Sequence, residues 1–296
     1  MNYGCPNLAC KNYSKTDFII KNGRFKRKSD SRYVQKFKCT YCGKQFSKAT
    51  FTLEKYQKKR RVNSRVFELL ASGVSMRRTA KLVRVDKKTI QRKLKYLGKK
   101  SKLKHDQFLK KLAKSKVDHM QLDDLISIEH TKLKPVSISI AVDAKRRYVL
   151  GVEVSRIAAF GHLAQISRRK YGYRKSEHKQ SLDKLFKTIT PVVDKNALVE
   201  SDEHNLYPEF VESYLPSTKY KQYKGARGCV AGQGELKKLN YDPLFSINHT
   251  CAMFRANINR LIRKTWCTTK DLEQLTNHIY IFVNYYNKML VQDQKT

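Results

Sequence analysis

The sequence is short of acid. Among 296 residues, 63 are Lys or Arg and only 25 are Asp or Glu, and no acid occurs between Asp242 and Asp271. The resulting formal net charge of +38 opposes compaction by self-repulsion, so it points to a polyanionic partner rather than to a need of the fold. Nucleic acid is the leading candidate, because each phosphate neutralised by Lys or Arg releases a condensed counterion. A ribosomal or chromatin-like structural protein, or a basic membrane-surface protein, is the blander alternative. There is also no run of about 18 apolar residues, which argues against a spanning helix. The N-terminal MNYGCPNLAC lacks the basic-then-apolar layout of a secretory signal. Seven unevenly placed cysteines do not suit a secreted disulfide framework, so a reducing cytoplasm is expected. What is present, 40% hydrophobic residues, suffices for about two domains with a real core.

The cysteines are the first positive signal. Cys5 and Cys10 form C-x4-C, and Cys39 and Cys42 form C-x2-C within FKCTYCGKQFS. Four thiolates in two short knuckles match the tetrahedral demand of a structural zinc ion. Gly43 permits the tight turn of the second knuckle, and Phe37 and Phe46 are placed to pack near the metal. The intervening basic, aromatic stretch, with Asn22-Gly23 at a turn, suits a small ribbon of strands over residues 1–52.

Residues 53–100 carry a helix-turn-helix pattern. Val66, Leu69 and Leu70 repeat at helical spacing up to Gly73, Ser75 can cap a second short helix, and Asp86 can cap a third bearing Ile90, Leu94 and Leu97. With the third helix in a major groove, Lys87, Lys88, Gln91, Arg92 and Lys95 face double-stranded DNA, Gln91 and Arg92 being able to read base edges. A helical bundle with a solvated charged face is the competing reading. Residues 101–118 read as a basic linker helix.

From residue 119 to the end, alternating β-branched residues take over. HMQLDDLISIEHT reads as a strand, KPVSISIAVDAKRRYVLGVEVS as two strands, SLDKLFKTITPVV as a helix, NALVESDEH as a buried strand ending in acid, and TKYKQYKG as a short strand. Helices follow over FSINHTCAMFRANINRLIRKTW and DLEQLTNHIYIFVNYYN. Three strands, a helix, another strand and then helices is the order of an α/β ribonuclease H-like domain with a mixed sheet. In such a sheet Asp123 and Asp202 lie side by side, and two close carboxylates repel unless a cation sits between them; a pair of Mg²⁺ ions would suit phosphoryl transfer. Asp124, Glu200 and Glu203 are neighbours that could be confused with the ligands. In the helix beginning near residue 245, Ile247, Cys251, Phe254, Ile258 and Leu261 form an inward stripe, while Arg255, Arg260, Arg263 and Lys264 lie mostly on other faces. Lys170, Tyr171, Tyr173 and Arg174 make a second basic-aromatic cluster, equally readable as a solvated loop or as a contact for single-stranded substrate.

This arrangement resembles bacterial insertion-sequence transposases, most of all the small InsA/InsB-type elements with both parts in one chain. The resemblance is carried by CTYCGKQFS, MQLDDL, ESDEHNLYP and RLIRKTWCTTK. It implies a DDE transposase that binds terminal inverted repeats and performs Mg²⁺-dependent strand cleavage and transfer on transposon ends and target DNA, as a homo-oligomer in the DNA complex. Asp123 and Asp202 match the first two family acids. The third, a glutamate, falls on Asn248. Three accounts are open: Asn248, or its neighbour His249, replaces the glutamate; Glu235 in AGQGELKKLNYDP, or after it Asp242, fills the gap; or the protein is a decayed or domesticated relative acting as a DNA-binding regulator.

Overall fold

The computed structural model describes residues 3–224, 242–262 and 267–293. Two of the expected site residues, Glu235 and Arg263, lie outside the described residues. The chain divides into two compact units, Met1–Val66 and Phe67–Thr296.

In the first unit, β1 (Ile19–Lys26), β2 (Tyr33–Cys39) and β3 (Gln45–Phe46) form a small antiparallel sheet in that order. Most strand residues are exposed or half-buried, so the sheet cannot hold itself by apolar burial. Two small clusters hold it instead. One is the cysteine group; the other stacks Phe37 on Phe46 at 5.7 Å and closes with Tyr3 and Phe51. Phe37 and Phe46 thus build an aromatic cluster of their own.

The second unit opens with α1 (Asn63–Ala71), which starts in the first, then α2 (Met76–Leu82) and α3 (Lys87–Leu112). Ser75 Oγ accepts the Arg78 N–H at 3.3 Å and Asp86 Oδ1 accepts that of Lys88 at 2.7 Å, so both helices begin at side-chain caps. Three of the apolar positions of α3, Ile90, Leu94 and Leu97, are buried, whereas Lys87, Lys88, Gln91, Arg92 and Lys95 are exposed. α3 carries straight through residue 100, where a separate basic linker over 101–118 is expected from sequence. The reason is visible in its spacing: Ser101, His105, Leu109 and Leu112 continue the buried stripe, and the many lysines occupy the faces between.

β4 (Val117–Ile128), β5 (Pro135–Asp143), β6 (Val149–Arg156), β7 (Val193–Asp202) and β8 (Lys219–Tyr223) form a mixed sheet ordered β6-β5-β4-β7-β8. β4–β5 and β5–β6 are antiparallel, while β4–β7 and β7–β8 are parallel. α4 (Leu163–Tyr171) and α5 (His178–Ile189) follow β6, and α6 (Tyr207–Tyr214) joins β7 to β8. Neither α4 nor α6 is expected from sequence; both are short, and α6 has a proline in its first turn. The helix expected to run to Val193 stops at Ile189, because Pro191 lacks the N–H to continue it.

α7 (Phe245–Asn257) and α8 (Leu272–Asp293) complete the unit. α8 is its main brace. Asn287 accepts the Val149 N–H and donates to the Val149 carbonyl, both at 2.9 Å, which covers the edge strand β6. His278 Nε2 donates to the Leu70 carbonyl at 2.8 Å, and His105 of α3 makes the same kind of bond to Leu150 at 3.2 Å. Burial lowers both imidazoles to about 4, so each is a neutral donor at pH 7. α3 and α8 touch most closely at Gly98, where an added Cβ would lie 2.6 Å from the Asn277 Cα. No helix among the described residues is long and apolar enough to cross a membrane.

This contact gives a stability test. Gly98→Ala improves intrinsic helix propensity by about 1 kcal/mol but forces two backbones apart, and the clash dominates. The variant is expected to lose about 1–3 kcal/mol in chemical denaturation; equal or greater stability would show that α3 and α8 are not packed this closely.

Candidate metal centres

The four cysteines come together as their spacing requires. Cys5, Cys10 and Cys39 are buried and Cys42 half-buried, and the four sulfurs lie within 4.8 Å of one another, with Cys5 and Cys42 at 3.6 Å. A tetrahedral zinc with bonds near 2.3 Å places its sulfurs about 3.8 Å apart, so the set fits zinc. The second knuckle turns at Gly43 (φ +70°), which donates its N–H to the Cys39 carbonyl at 2.9 Å. The thiols are electrostatically unlike. Burial raises the pKa of Cys5, whereas the Lys44 backbone N–H lowers that of Cys42.

The second centre lies on the mixed sheet. Register pairs Gln121 with Glu200 and Leu122 with Ser201, so Asp123 and Asp202 are at the same level on adjacent parallel strands. Alternation then puts Asp123 on one face of β4 and Asp124 on the other. Burial raises the pKa of Asp123 to about 7, with repulsion from Asp202 and Asp124 adding to it and the Asp124 N–H and Arg255 opposing it. Asp202 is raised as well, by burial and by Asp124 and Glu203. Both effects describe carboxylates that a cation would relieve, and their oxygen donors suit Mg²⁺.

On the Asp123 face, a buried network seats α7. Gln121 Nε2 donates to Glu200 Oε2 (2.9 Å) and to the Pro243 carbonyl (2.7 Å), and its Oε1 accepts the Ile247 N–H (3.1 Å). Glu200 is completed by His119 at 2.7 Å and Tyr223 at 2.8 Å. Burial pushes its pKa up, but these partners outweigh burial and hold it below the usual range. Glu200 is thus a structural acid, and Glu203 is exposed.

The helix seated this way presents an unexpected side chain to Asp123. Ile247, Cys251, Phe254, Ile258 and Leu261 are all buried, as their spacing predicts. Yet Cys251 also directs its thiol to Asp123 Oδ2 at 3.9 Å, and burial followed by the Asp123 charge raises its pKa. Asn248, one turn earlier, is exposed, and its amide donates to Asp242 Oδ2 at 2.9 Å. Asp242 in turn accepts the Leu244 N–H and leads into the helix. His249 packs on Phe245, and burial together with Arg147 lowers its pKa. Arg260 turns inward to Thr269 Oγ1 at 3.0 Å instead of lying on an outer face, because the helix has already ended at Asn257. Arg174 is likewise held at home, by Glu129 at 2.9 Å.

On the opposite face, Asp124 accepts hydroxyl bonds from Ser137 (2.7 Å) and Ser139 (2.5 Å) and lies 2.8 Å from His178 Nε2. Burial raises its pKa, but His178 and the serines outweigh it and hold the carboxyl ionised. His204, after β7, stacks edge-on against His178 with centroids 5.0 Å apart. Asp124, His178 and His204 could together hold a metal ion. Two of the three are missed by sequence reading, since a lone histidine after a strand or at a helix start carries no local signal. A cleft of about 950 Å³ opens here, lined by Lys175, His178, Lys179, Asp202 and His204 among others.

No protein-family model and no curated protein matches this chain. Its site chemistry therefore stands on geometry alone.

Two predictions follow the two centres. Chelating the zinc, or Cys39→Ser, removes about 10 kcal/mol of metal-linked stability from Met1–Val66; limited proteolysis should then cut that unit first, and an unchanged digest would refute a structural metal. For Asp123, the folded-state pKa lies above the unfolded one, so its contribution is whole below about pH 4 and is lost as pH rises through about 7. Metal-free Asp123→Asn should therefore gain stability over the parent across that window, on the order of 3 kcal/mol by pH 8. A difference between the two that stays flat with pH in denaturation curves would contradict the raised pKa.

Proposed function

We propose that the chain is a metal-dependent DNA transposase of the DDE type, with a zinc ribbon and a helix-turn-helix ahead of a ribonuclease H-like domain. The observation that carries this reading is the parallel register of β4 and β7, which sets Asp123 and Asp202 level with each other at an electrostatically strained end of the sheet. The strand order and directions, with β6 and β5 antiparallel and β7 and β8 parallel to β4, support a ribonuclease H-like domain. The exposed Lys87, Lys88, Gln91, Arg92 and Lys95 support α3 as the groove-reading helix. Lys95 is also 3.1 Å from Glu273, an exposed pair worth little and easily exchanged for a phosphate.

In this reading Asp123 and Asp202 hold the catalytic cation. Bound there, Mg²⁺ supplies Lewis acidity to activate the attacking water or 3′-hydroxyl and to stabilise the leaving oxygen. The protein's own part is placement. Gln121 and Glu200 hold α7 against β4, so that Arg255 faces the acids and offsets their charge. Lys175 and Lys179, beside Asp202 in the cleft, meet the phosphate backbone of a DNA end.

A second reading has a specific observation behind it: the α7 side chain in contact with Asp123 is a thiol, and Asn248 is bonded to Asp242. A chain without a third acid at that helix would be a DNA-binding regulator whose catalytic set has decayed.

Cleavage of transposon-end DNA separates the two. Asp123→Ala and Asp202→Ala are each expected to lower Mg²⁺-dependent cleavage by about 1,000-fold or more while leaving DNA binding intact. Parent protein that binds but does not cut would favour the regulator, and undiminished cleavage by both variants would sink the acid assignment. Cleavage that survives Asn248→Ala but not Glu235→Gln assigns the third donor to Glu235.

A further inference from the structure

The reading above leaves one cluster without a task. Asp124 lies in the middle of β4, His178 begins α5, and His204 sits in the turn after β7, yet one donor atom from each lies within 4.8 Å of the others. His178 Nε2 lies 2.8 Å from Asp124 Oδ2 and 3.4 Å from the Ser139 hydroxyl. A second observation comes from Tyr207, at the start of α6. It is 1% exposed and its hydroxyl faces Asp124, with the Asp123 and Asp202 carboxylates also within electrostatic reach. Its ring is 5.1 Å from that of His204. A buried, uncharged group therefore closes the cluster on the α6 side.

We propose that Asp124, His178 and His204 form a binding site for a first-row transition dication such as Mn²⁺, Co²⁺ or Zn²⁺. A simple ion pair does not account for the cluster. One imidazolium would neutralise Asp124, which already has two serine hydroxyls; His204 accepts the Leu206 N–H on Nδ1 at 3.2 Å and stacks edge-on against His178, where a second positive charge would be repelled. Two imidazole nitrogens and one carboxylate oxygen are the donors that borderline transition metals take, whereas Mg²⁺ favours the all-oxygen environment of Asp123 and Asp202. Three protein ligands leave coordination positions open. Water can occupy one of them. Another faces the cleft that His178, His204 and Asp202 share with Lys175 and Lys179, where a phosphate oxygen can enter. Ser137 and Ser139 orient the carboxylate from behind, as outer-shell groups do in metal sites. The proposal stands on these side chains and does not require that the chain cleave DNA.

The test is a Co²⁺ titration of the full chain carrying zinc in its cysteine site, followed by visible absorption. With excess Mg²⁺ present to occupy Asp123 and Asp202, one further equivalent should bind with d–d bands and without a thiolate-to-metal charge-transfer band, and the Mg²⁺ should not displace it. His178→Gln and His204→Asn should each weaken that binding at least about 10-fold. His204 is half-buried, so His204→Asn keeps the test decisive if His178→Gln fails to fold, as thermal unfolding without cobalt would show. Absence of the extra equivalent, unaltered binding by a folded His204→Asn, or full displacement by Mg²⁺ would each overturn the site.

Discussion

The parallel pairing of β4 with β7 is the constraint on which the functional end of this protein depends. With Gln121 opposite Glu200 and Leu122 opposite Ser201, the next residues on each strand are both aspartates. Because successive side chains in a strand point to opposite faces, the Asp123-Asp124 dipeptide serves two sites at once. Asp123 joins Cys251 and Arg255 on the α7 face; Asp124 joins His178 and His204 on the α5 face, and Asp202, at the end of β7, lies within electrostatic reach of both aspartates. A register slip of one residue would exchange the two aspartates between faces and dissolve both groups.

Such a concentration of buried charge has to be held by satisfied polar partners, and the sheet supplies them from both sides. Gln121 uses both ends of its amide, and Glu200 both oxygens, to bind α7, β4, β7 and β8 into one network. Ser137 and Ser139 perform the same service for Asp124 from β5. The strain that remains falls most on Asp123 and Asp202, whose raised pKa values are only partly offset by backbone N–H groups and, for Asp123, by Arg255. The two strained carboxylates sit beside a cleft rimmed by Lys175 and Lys179.

Legibility in the sequence followed the strength of the local pattern. β4, β5, β6, β7 and α8 carry unbroken alternation or helical spacing over many residues, and each was readable. α4 and α6 were not, both being short, α4 mostly polar and α6 opening on a proline in its first turn. Residues 101–112 looked like a linker because lysines dominate them, while the stripe that buries Ser101, His105, Leu109 and Leu112 against the core is sparse and partly polar. The third-acid position shows the limit most sharply. Counting along the helix selects Asn248, but rotation of α7 against the sheet, set by the Gln121 bonds, brings Cys251 to Asp123.

The sequence by itself determined the excess of positive charge, the grouping of four cysteines in two short knuckles, the caps of α2 and α3, and the acids carried by β4 and β7. These depend on composition and on residues a few positions apart. Tertiary structure alone decided which face each acid takes, which helix turn meets Asp123, and that His178 and His204 converge on Asp124. Those outcomes require strands and helices remote in sequence to meet at a particular register and rotation, and no local spacing encodes that.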